Sequence, residues 1–244
     1  MHYKKTIFYL LFLLPIFTSF SQKKSTQKEY YKWFDDQVGI ENTGLFNGFR
    51  YSEKYRTIDG NHKFFISSEF NKGTIKYDGQ IYFDIEMKYD IYEDQVIVKL
   101  STKAGESILQ LIDEKIENFN FYNVQFERVS DKNSSISNMT GFFETLYQSQ
   151  NFTSLKKYKK IIKKYIKSDF VYYTFKNEID YYIYNNNEFY LVDSKKDLIK
   201  IFPDYKKEIK DHYKKNNHMI SSNYDEFIIQ LSEQISNNIS TSGK

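Results

Sequence analysis

The clearest pattern along the chain is a strict alternation of side chains over residues 81–92. Its apolar set is Ile81, Phe83, Ile85, Met87, Tyr89 and Ile91, which alternate with Tyr82, Asp84, Glu86, Lys88, Asp90 and Tyr92. A period of two is typical of a strand with one buried and one wet face, and such strands belong to antiparallel sheets. The pattern therefore predicts an antiparallel strand on which Asp84 and Glu86 face water.

Shorter segments of strand character lie on both sides of this strand. They cover residues 64–70, 73–77, 95–100, 108–112, 115–121, 124–129, 141–149, 179–184 and 188–192. Turn residues separate several of them, above all Asp78-Gly79, Glu93-Asp94 and the three asparagines at 185–187. Residues 130–140 are rich in Ser and Asn and predict a surface loop.

Residues 155–167 fit two structures. Apolar and aromatic residues at 155, 158, 161, 162, 165 and 166 fall on one helical face, with seven lysines on the other. The same stretch follows a predicted strand and a Gln150-Asn151 turn, which favours a second strand of a hairpin. Both predictions stay open from the sequence alone.

After residue 192 the apolar period changes to that of helices. Ser194 and Asp197 resemble a capping box, Pro203 suits a first helical position, and Asn223 suits an N-cap. The predicted fold class is therefore α+β, with an antiparallel β-meander of about 8–11 strands followed by two or three C-terminal helices. The predicted organisation is a mainly antiparallel β region over 22–192 and a helical region over 193–240 packed on the sheet.

The first 21 residues have the features of a secretory signal peptide. Lys4 and Lys5 precede an apolar run over 7–17, and Ser19 and Ser21 suit cleavage before Gln22. We expect export to the periplasm or the extracellular space, with no transmembrane segment after cleavage. Residues 23–36 carry an aromatic group (30, 31, 33 and 34) and predict a short helix or docking arm.

Composition excludes several classes of protein. The formal charge is +3, and it falls to +1 when Lys4 and Lys5 are removed with the leader. With 32 Lys and only 3 Arg, the chain lacks the strongly basic, Arg-rich face of a nucleic-acid binder. The absence of cysteine excludes disulfides, thiolate metal sites and the lipid-modified cysteine of a bacterial lipoprotein.

Three segments carry a resemblance. The stretches GTIKYDGQIYFDIEMKYDIYEDQVIVKL (73–100), GFFETLYQSQNFTSL (141–155) and SKKDLIKIFP (194–203) resemble a family of uncharacterised exported Bacteroidetes proteins. The resemblance implies a location in the cell envelope or outside the cell, and a β-meander followed by helices. It implies no activity and no site residues.

The candidate catalytic and metal-binding residues do not converge in the sequence. His62, His212 and His218 lack the spacing of a metal site. The Cα atoms of Asp84 and Glu86 are expected to lie about 6–7 Å apart on one strand face, a spacing compatible with a glycosidase pair or other acid–base pair. Lys and Tyr alternate with them, which is typical of a solvated face, and nucleophile and phosphate-loop motifs are missing. We therefore predict no catalytic, cofactor-binding or metal-ligating residues and no cofactor.

The lysine run over 156–167 and the abundant aromatic residues suggest binding instead. Lysines can contact an anionic surface such as lipid headgroups, although a solvated lysine-rich face has the same pattern. We expect a non-catalytic envelope or secreted protein that binds a protein or surface partner. The alternatives are a periplasmic carrier of a lipid or other apolar ligand, and third, a hydrolase that uses carboxylates.

Overall fold

The computed structural model describes residues 27–58, 60–131, 139–167 and 169–242. Within these residues the chain forms eleven strands and five α-helices. The strands are β1 Gly48–Arg50, β2 Asn71–Tyr77, β3 Gln80–Asp90, β4 Gln95–Thr102, β5 Gly105–Leu111, β6 Ile116–Phe121, β7 Val124–Asp131, β8 Met139–Gln148, β9 Phe152–Lys167, β10 Phe170–Asn185 and β11 Glu188–Leu191. The helices are α1 Gln27–Val38, α2 Lys195–Ile201, α3 Lys206–Lys215, α4 Asn217–Ser222 and α5 Tyr224–Ser242.

All eleven strands form one antiparallel sheet, in the order β1-β5-β4-β3-β2-β6-β7-β8-β9-β10-β11. Two runs of sequential hairpins, β2 to β5 and β6 to β11, meet where β2 pairs with β6. The C-terminal helices follow the sheet, so the α+β fold class is confirmed. None of the helices in the described part of the chain is long and apolar enough to cross a membrane.

Residues 51–58 and 60–66, together called the segment over 51–66, contact distant parts of this sheet. At one end the Tyr51 amide donates to Ile108 of β5, and further on Arg56 accepts a 2.9 Å hydrogen bond from the Tyr173 amide of β10. The Phe65 amide then donates to Tyr89 at the end of β3. The segment thus joins the β5 side of the sheet to β10, and the sheet is curled.

The strand predicted over 64–70 is wrong. In this stretch only Phe64 makes a bridge, to Asp90, and Ile66 is exposed with a φ of 54°. The physical reason is that β2 pairs with β3 from Gln80 to Met87, while β4 pairs with it from Glu86 to Asp90. Only the last residues of β3 stay free on the β2 side, so the contact is limited to Phe64 and Phe65 and does not extend into a strand.

The predicted faces of the strand over 81–92 are correct only in part. Met87, Tyr89 and Ile91 are buried as predicted, but Asp90 of the predicted wet face is buried too, in an ion pair with Lys63 at 2.8 Å. Tyr82 is buried in place of Phe83, and Ile81 and Phe83 are only partly buried.

A bulge at Asp84 explains the change of face. Asp84 has a φ of 56°, and the pairing of β3 with β2 slips from Gly73–Ile85 to Ile75–Tyr82 across it. An extra residue in one strand moves all following side chains to the opposite face. Phe83 therefore packs against Tyr31 of α1, with ring centroids 6.1 Å apart.

The ambiguous stretch over 155–167 is a strand. It belongs to β9, which pairs with β10 without interruption from Phe152–Asn185 to Lys167–Phe170. Both strands have 16 residues, so β10 begins nine residues before the strand predicted over 179–184. The sequence of this stretch fits both a helix and a strand. Pairing with β10, a strand of equal length, favours the strand.

The predicted cap at Asn223 is confirmed, since its side chain accepts from the Glu226 amide at 3.2 Å at the start of α5. Ser194 lies at the N-cap position of α2, but its hydroxyl donates to the Asp197 side chain at 2.8 Å and makes no capping hydrogen bond to the backbone. A short helix, α4, lies between the predicted ones. The apolar sides of α2, α3 and α5 pack with Phe152 and Ile183 of the sheet in one cluster.

Three predicted features lie wholly or partly outside the described residues. These are the signal peptide over 1–21, the first residues of the predicted helix over 23–36, and positions 132–138 of the predicted loop over 130–140. The remainder of the 23–36 segment is helical, within α1. Residues 130 and 131 end β7, and residues 139 and 140 begin β8.

Candidate functional site

The two carboxylates singled out in the sequence are both engaged in ion pairs. The Asp84 carboxylate accepts from Lys28 at 2.7 Å and Lys32 at 2.8 Å, both on α1. Hydrogen bonds from these two ammonium groups lower the pKa of Asp84. Glu86 pairs with Lys99 of β4 at 3.0 Å. Each carboxylate stabilises a neighbouring element, and Asp84 holds α1 on the sheet instead of facing open water.

The three candidate histidines occupy separate places. His212 is buried in α3 with its ring 4.7 Å from that of Phe227, and burial lowers its pKa. His62 lies in the segment over 51–66 and stacks on Phe64, and burial lowers its pKa also. His218 lies on α4. No group of three or more potential metal ligands occurs among the residues that the structure describes.

Aromatic side chains fill the interior of the curled sheet. The Phe119 and Phe126 rings stack 4.8 Å apart, and Tyr89 lies 5.0 Å from Phe126. Phe65, from the segment over 51–66, covers this group with its ring 5.3 Å from Phe126. These distances are those of ordinary aromatic contacts, so the chain's own rings occupy the space in which a carrier would hold its ligand.

The lysine run divides into two parts. At the base of β9, four lysines bind protein groups: Lys156 contacts Asp225, Lys157 contacts Asp94, Lys159 contacts Asp180, and Lys160 donates to the carbonyl of His62. Lys156 and Lys157 are themselves buried. These four residues are structural, and the prediction of a uniform solvated lysine face is wrong for them.

Lys157 joins the β3–β4 turn to β8 and β9. Its ammonium group donates to Asp94 at 2.5 Å and to the carbonyl of Phe142 at 3.0 Å, and Tyr89 donates to the other oxygen of Asp94 at 2.5 Å. Burial lowers the pKa of Lys157. Gly141 makes room for the pair, since a Cβ at that position would overlap both charged groups.

Asp113 lies close to this pair. Its Oδ1 is buried without a hydrogen-bond partner in the described residues. Burial, and then the charge of Asp94, raise the pKa of Asp113 to about 7, although Arg128 and Lys157 oppose the rise. The group is a titratable part of the junction between the two halves of the sheet.

The distal part of the β9–β10 hairpin has a different character. We call it the hairpin end, and it comprises residues 161–167 and 169–176. Its exposed apolar residues include Ile166 at 75% and Phe170 at 53% relative exposure. Lys163, Lys164 and Lys167 are exposed and make no ion pair within the described residues. Cationic and apolar side chains therefore reach solvent side by side.

The hairpin end carries exposed apolar residues on both faces. Ile166 lies directly opposite Val171, and Tyr165 lies opposite Tyr172. Because successive residues of a strand point to opposite faces, these two pairs lie on opposite sides of the hairpin. Ile166, Tyr165 and Val171 are all exposed, so apolar surface is present on both sides.

Arg56 supports the hairpin end on one side. Its guanidinium group lies 4.7 Å from the centre of the Phe170 ring and 5.7 Å from that of Tyr172. Its carbonyl also accepts the Tyr173 amide. Beyond Tyr173, β9 and β10 continue for three more residue pairs, from Tyr165–Tyr172 to Lys167–Phe170. At a rise of about 3.3 Å per residue, this part of the hairpin is about 10 Å long.

The amino-acid sequence alone does not reveal this division of the lysine run. All seven lysines look alike in it, since partners such as Asp94 and Asp225 are far away in the chain. One signal was present: Asp169 is the only acidic residue between positions 145 and 177, so the distal lysines have few local partners.

Comparisons with protein-family models, curated proteins and solved structures find no match to this chain. The resemblance to exported Bacteroidetes proteins therefore stays a prediction. The α+β architecture itself is directly visible in the structure.

Proposed function

We propose that this protein is exported to the cell envelope or the extracellular space and acts there by binding a partner through the hairpin end, without a catalytic centre of its own. The observation that carries the proposal is the exposure of Ile166 and Phe170 beside three lysines that lack acidic partners in the described residues. Large apolar side chains grouped on a protruding element mark interaction surfaces more often than single exposed ones do.

The hairpin end contributes little to the core. Its outermost pairs lie beyond the last hydrogen bond between β10 and the segment over 51–66, at Tyr173. Ile166 and Phe170 are absent from all three clusters of buried apolar residues in the described part of the chain. A role in binding explains why these large apolar side chains are present although they are not buried in the core.

The positions of the candidate carboxylates also favour binding over hydrolysis. An acid–base pair requires at least one carboxyl group with a raised pKa near a substrate cleft. The pKa of Asp84 is lowered instead, and Glu86 pairs with Lys99.

Photo-crosslinking in the producing cell tests the binding surface. A photoreactive amino acid replaces Ile166 or Phe170, and the control replaces Asn186 in the β10–β11 turn, which is also exposed. We expect covalent adducts, with protein or lipid, from positions 166 and 170 but not from 186. Adducts from position 186 alone, or from none of the three, would contradict the proposed surface.

Two further measurements test export and the absence of catalysis. N-terminal sequencing of protein from the periplasm or medium should begin at Gln22. A panel of esterase, glycosidase and peptidase substrates should show no turnover. Turnover that disappears in an Asp84→Asn/Glu86→Gln double variant would show a hydrolase and overturn the proposal.

A further inference from the structure

We infer that the partner of the hairpin end is an anionic phospholipid bilayer, with Ile166 and Phe170 inserted among the lipids and Lys163 and Lys164 at the phosphate groups. The inference rests on the proposed function, since it names the partner of the same surface.

Both faces of the hairpin end carry apolar residues at about the same distance from its tip. Ile166 and Val171 lie on one face, and Tyr165 and Phe170 lie on the other. A flat protein surface can cover only one face of the hairpin at a time and leaves the other in water. A bilayer surrounds a protruding hairpin on all sides, so it removes both apolar faces from water at once.

Along β9, lysines precede the exposed apolar residues by a fixed spacing. Lys163 and Lys164 lie on opposite faces, each two residues from the apolar pair Tyr165 and Ile166, which is about 6–7 Å along the strand. Apolar groups at a membrane surface are buried about 5–10 Å into the boundary of headgroups and acyl chains. Lysines at that spacing reach the phosphates while the apolar side chains lie below them.

The hairpin end has a net positive charge. Residues 161–176 contain four lysines and a single acidic residue, Asp169. The next acidic residues along β10 are Glu178 and Asp180, and both bind Lys159. Arg56 adds a further positive charge beside Phe170. A net positive surface of this kind is attracted to anionic lipids, and each basic residue strengthens the attraction.

The side chain of Lys167 is compatible with insertion of the neighbouring apolar residues. It lies at the end of β9, opposite Phe170, and is exposed. A long lysine side chain can place its ammonium group at the headgroups while its methylene groups lie beside apolar neighbours. With few inserted side chains, the binding is expected to be reversible and to weaken as salt screens the charges.

The first experiment measures binding of the purified protein to vesicles. Vesicles of phosphatidylglycerol and phosphatidylcholine in equal parts are compared with vesicles of phosphatidylcholine alone. We expect co-sedimentation with the anionic vesicles only, and loss of binding at high salt. Equal binding to both kinds of vesicle, or to neither, would overturn the inference.

The second experiment reports insertion of the hairpin end itself. The chain has one tryptophan, Trp33, so Phe170→Trp in a Trp33→Phe background gives a single reporter. Anionic vesicles should shift its emission to the blue, and lipids with brominated acyl chains should quench it. The control, Tyr190→Trp in the same background, lies on β11 at the other end of β10 and should show neither change.

Matched variants separate specific contacts from general charge. Replacement of Lys163, Lys164 and Lys167 by Gln should lower the partition coefficient at least about tenfold. The control replaces three exposed lysines of α3, Lys206, Lys207 and Lys210, by Gln and should bind as the parent does. Equal losses in both variants would show that net charge, and not the hairpin end, is responsible.

The apolar part of the surface has its own pair of variants. Ile166→Ser/Phe170→Ser should abolish the interaction, while Phe49→Ser/Ile66→Ser, at exposed apolar positions elsewhere, should preserve it. Thermal unfolding of each variant shows whether it is folded before its binding is compared with that of the parent.

The outcomes distinguish this inference from the proposed function. If vesicles fail to bind but photo-crosslinks from position 166 go to a protein, the partner is a protein and the bilayer inference is wrong while the binding surface stands. If the emission of the Phe170→Trp variant shifts with an acidic polypeptide or an oligonucleotide and not with vesicles, the inference is also wrong. If neither vesicles nor crosslinks are found, both proposals fall.

Discussion

Lys157 and Asp94 form a 2.5 Å ion pair between residues 63 positions apart in the chain, and this pair connects the β3–β4 turn with β9. The Lys157 ammonium group is largely buried, so removing Asp94 would leave a buried positive charge without its ion-pair partner. Breaking a buried pair by removing one partner typically costs about 3–5 kcal/mol. The pair is therefore a major link between the two halves of the curled sheet.

The space at Gly141 should be essential to this link. A Gly141→Ala substitution places a Cβ into the Asp94 carboxylate and the Lys157 amine, and should lower the free energy of unfolding by about 3 kcal/mol or more. Gly105→Ala is the matched control, because its φ of 122° is close to the 126° of Gly141 and its Cβ would meet open space. It should cost about 1–3 kcal/mol, from backbone strain alone, and less than Gly141→Ala. Equal losses in chemical denaturation would show that the ion pair needs no such space.

Asp113 should make the stability depend on pH between about 4 and 7. Its pKa is raised to about 7 in the folded protein, so the folded state binds a proton in a range where the unfolded chain has lost it. Its contribution to stability is therefore complete at low pH and is lost as pH rises through 7. Asp113→Asn should remove this slope and raise the free energy of unfolding above pH 7, by at most about 4 kcal/mol. Denaturant titrations at several pH values measure it.

The control for this pH dependence is Asp204→Asn, at an exposed carboxylate beside α3. It should preserve the slope of the parent protein. A slope that survives in Asp113→Asn would assign the dependence to another carboxyl group, such as Asp90, whose pKa burial also raises.

The bulge at Asp84 reverses the expected cost of two neighbouring substitutions. Tyr82 is buried at 1% relative exposure, so Tyr82→Ala should lower the free energy of unfolding by about 3–5 kcal/mol. Phe83 is only partly buried against Tyr31, so Phe83→Ala should cost less than about 2 kcal/mol. A larger effect at Phe83 would restore the uninterrupted alternation and exclude the bulge.

Helix α1 should detach more easily when Asp84 is changed. The helix has no buried residue, and Lys28 and Lys32 hold it to Asp84. Asp84→Asn keeps a residue that tolerates positive φ but removes both ion pairs, so amide hydrogen exchange over 27–38 should accelerate. Global stability should change by less than about 1 kcal/mol, as for other partly exposed pairs. Unchanged exchange would mean that the other contacts, Tyr31 with Phe83 and Asp35 with Gln80, are enough to hold the helix.

Much of the fold follows from local features of the sequence. The turn at Asp78-Gly79 occurs where predicted, with φ values of 52° and 80°, and so does the turn at Asn186 and Asn187. The position of α5 follows from the cap at Asn223 and the period of its apolar residues. Such features depend on a few neighbouring residues, and the surrounding structure leaves them unchanged.

The candidate surface was only partly predictable. The lysine run was visible in the sequence, but its division at Lys160 depends on Asp94, Asp180, Asp225 and the His62 carbonyl. Except for Asp180, these partners are more than 60 residues away along the chain. No local pattern distinguishes a lysine that will meet such a partner from one that will not.

The sequence by itself determined the antiparallel sheet, the helical C-terminal region and most turns, because alternation, caps and turn residues act over a few positions. The tertiary structure alone decided that residues 155–167 form a strand, that Tyr82 is buried in place of Phe83, and that Ile166 and Phe170 protrude into solvent. The first two depend on how strands of a hairpin pair, β9 with β10 and β3 with β2, and the third on where the contact between β10 and the segment over 51–66 ends. Local alternation of apolar and polar residues does not encode strand partners, bulges or distant contacts, so only the folded chain decides them.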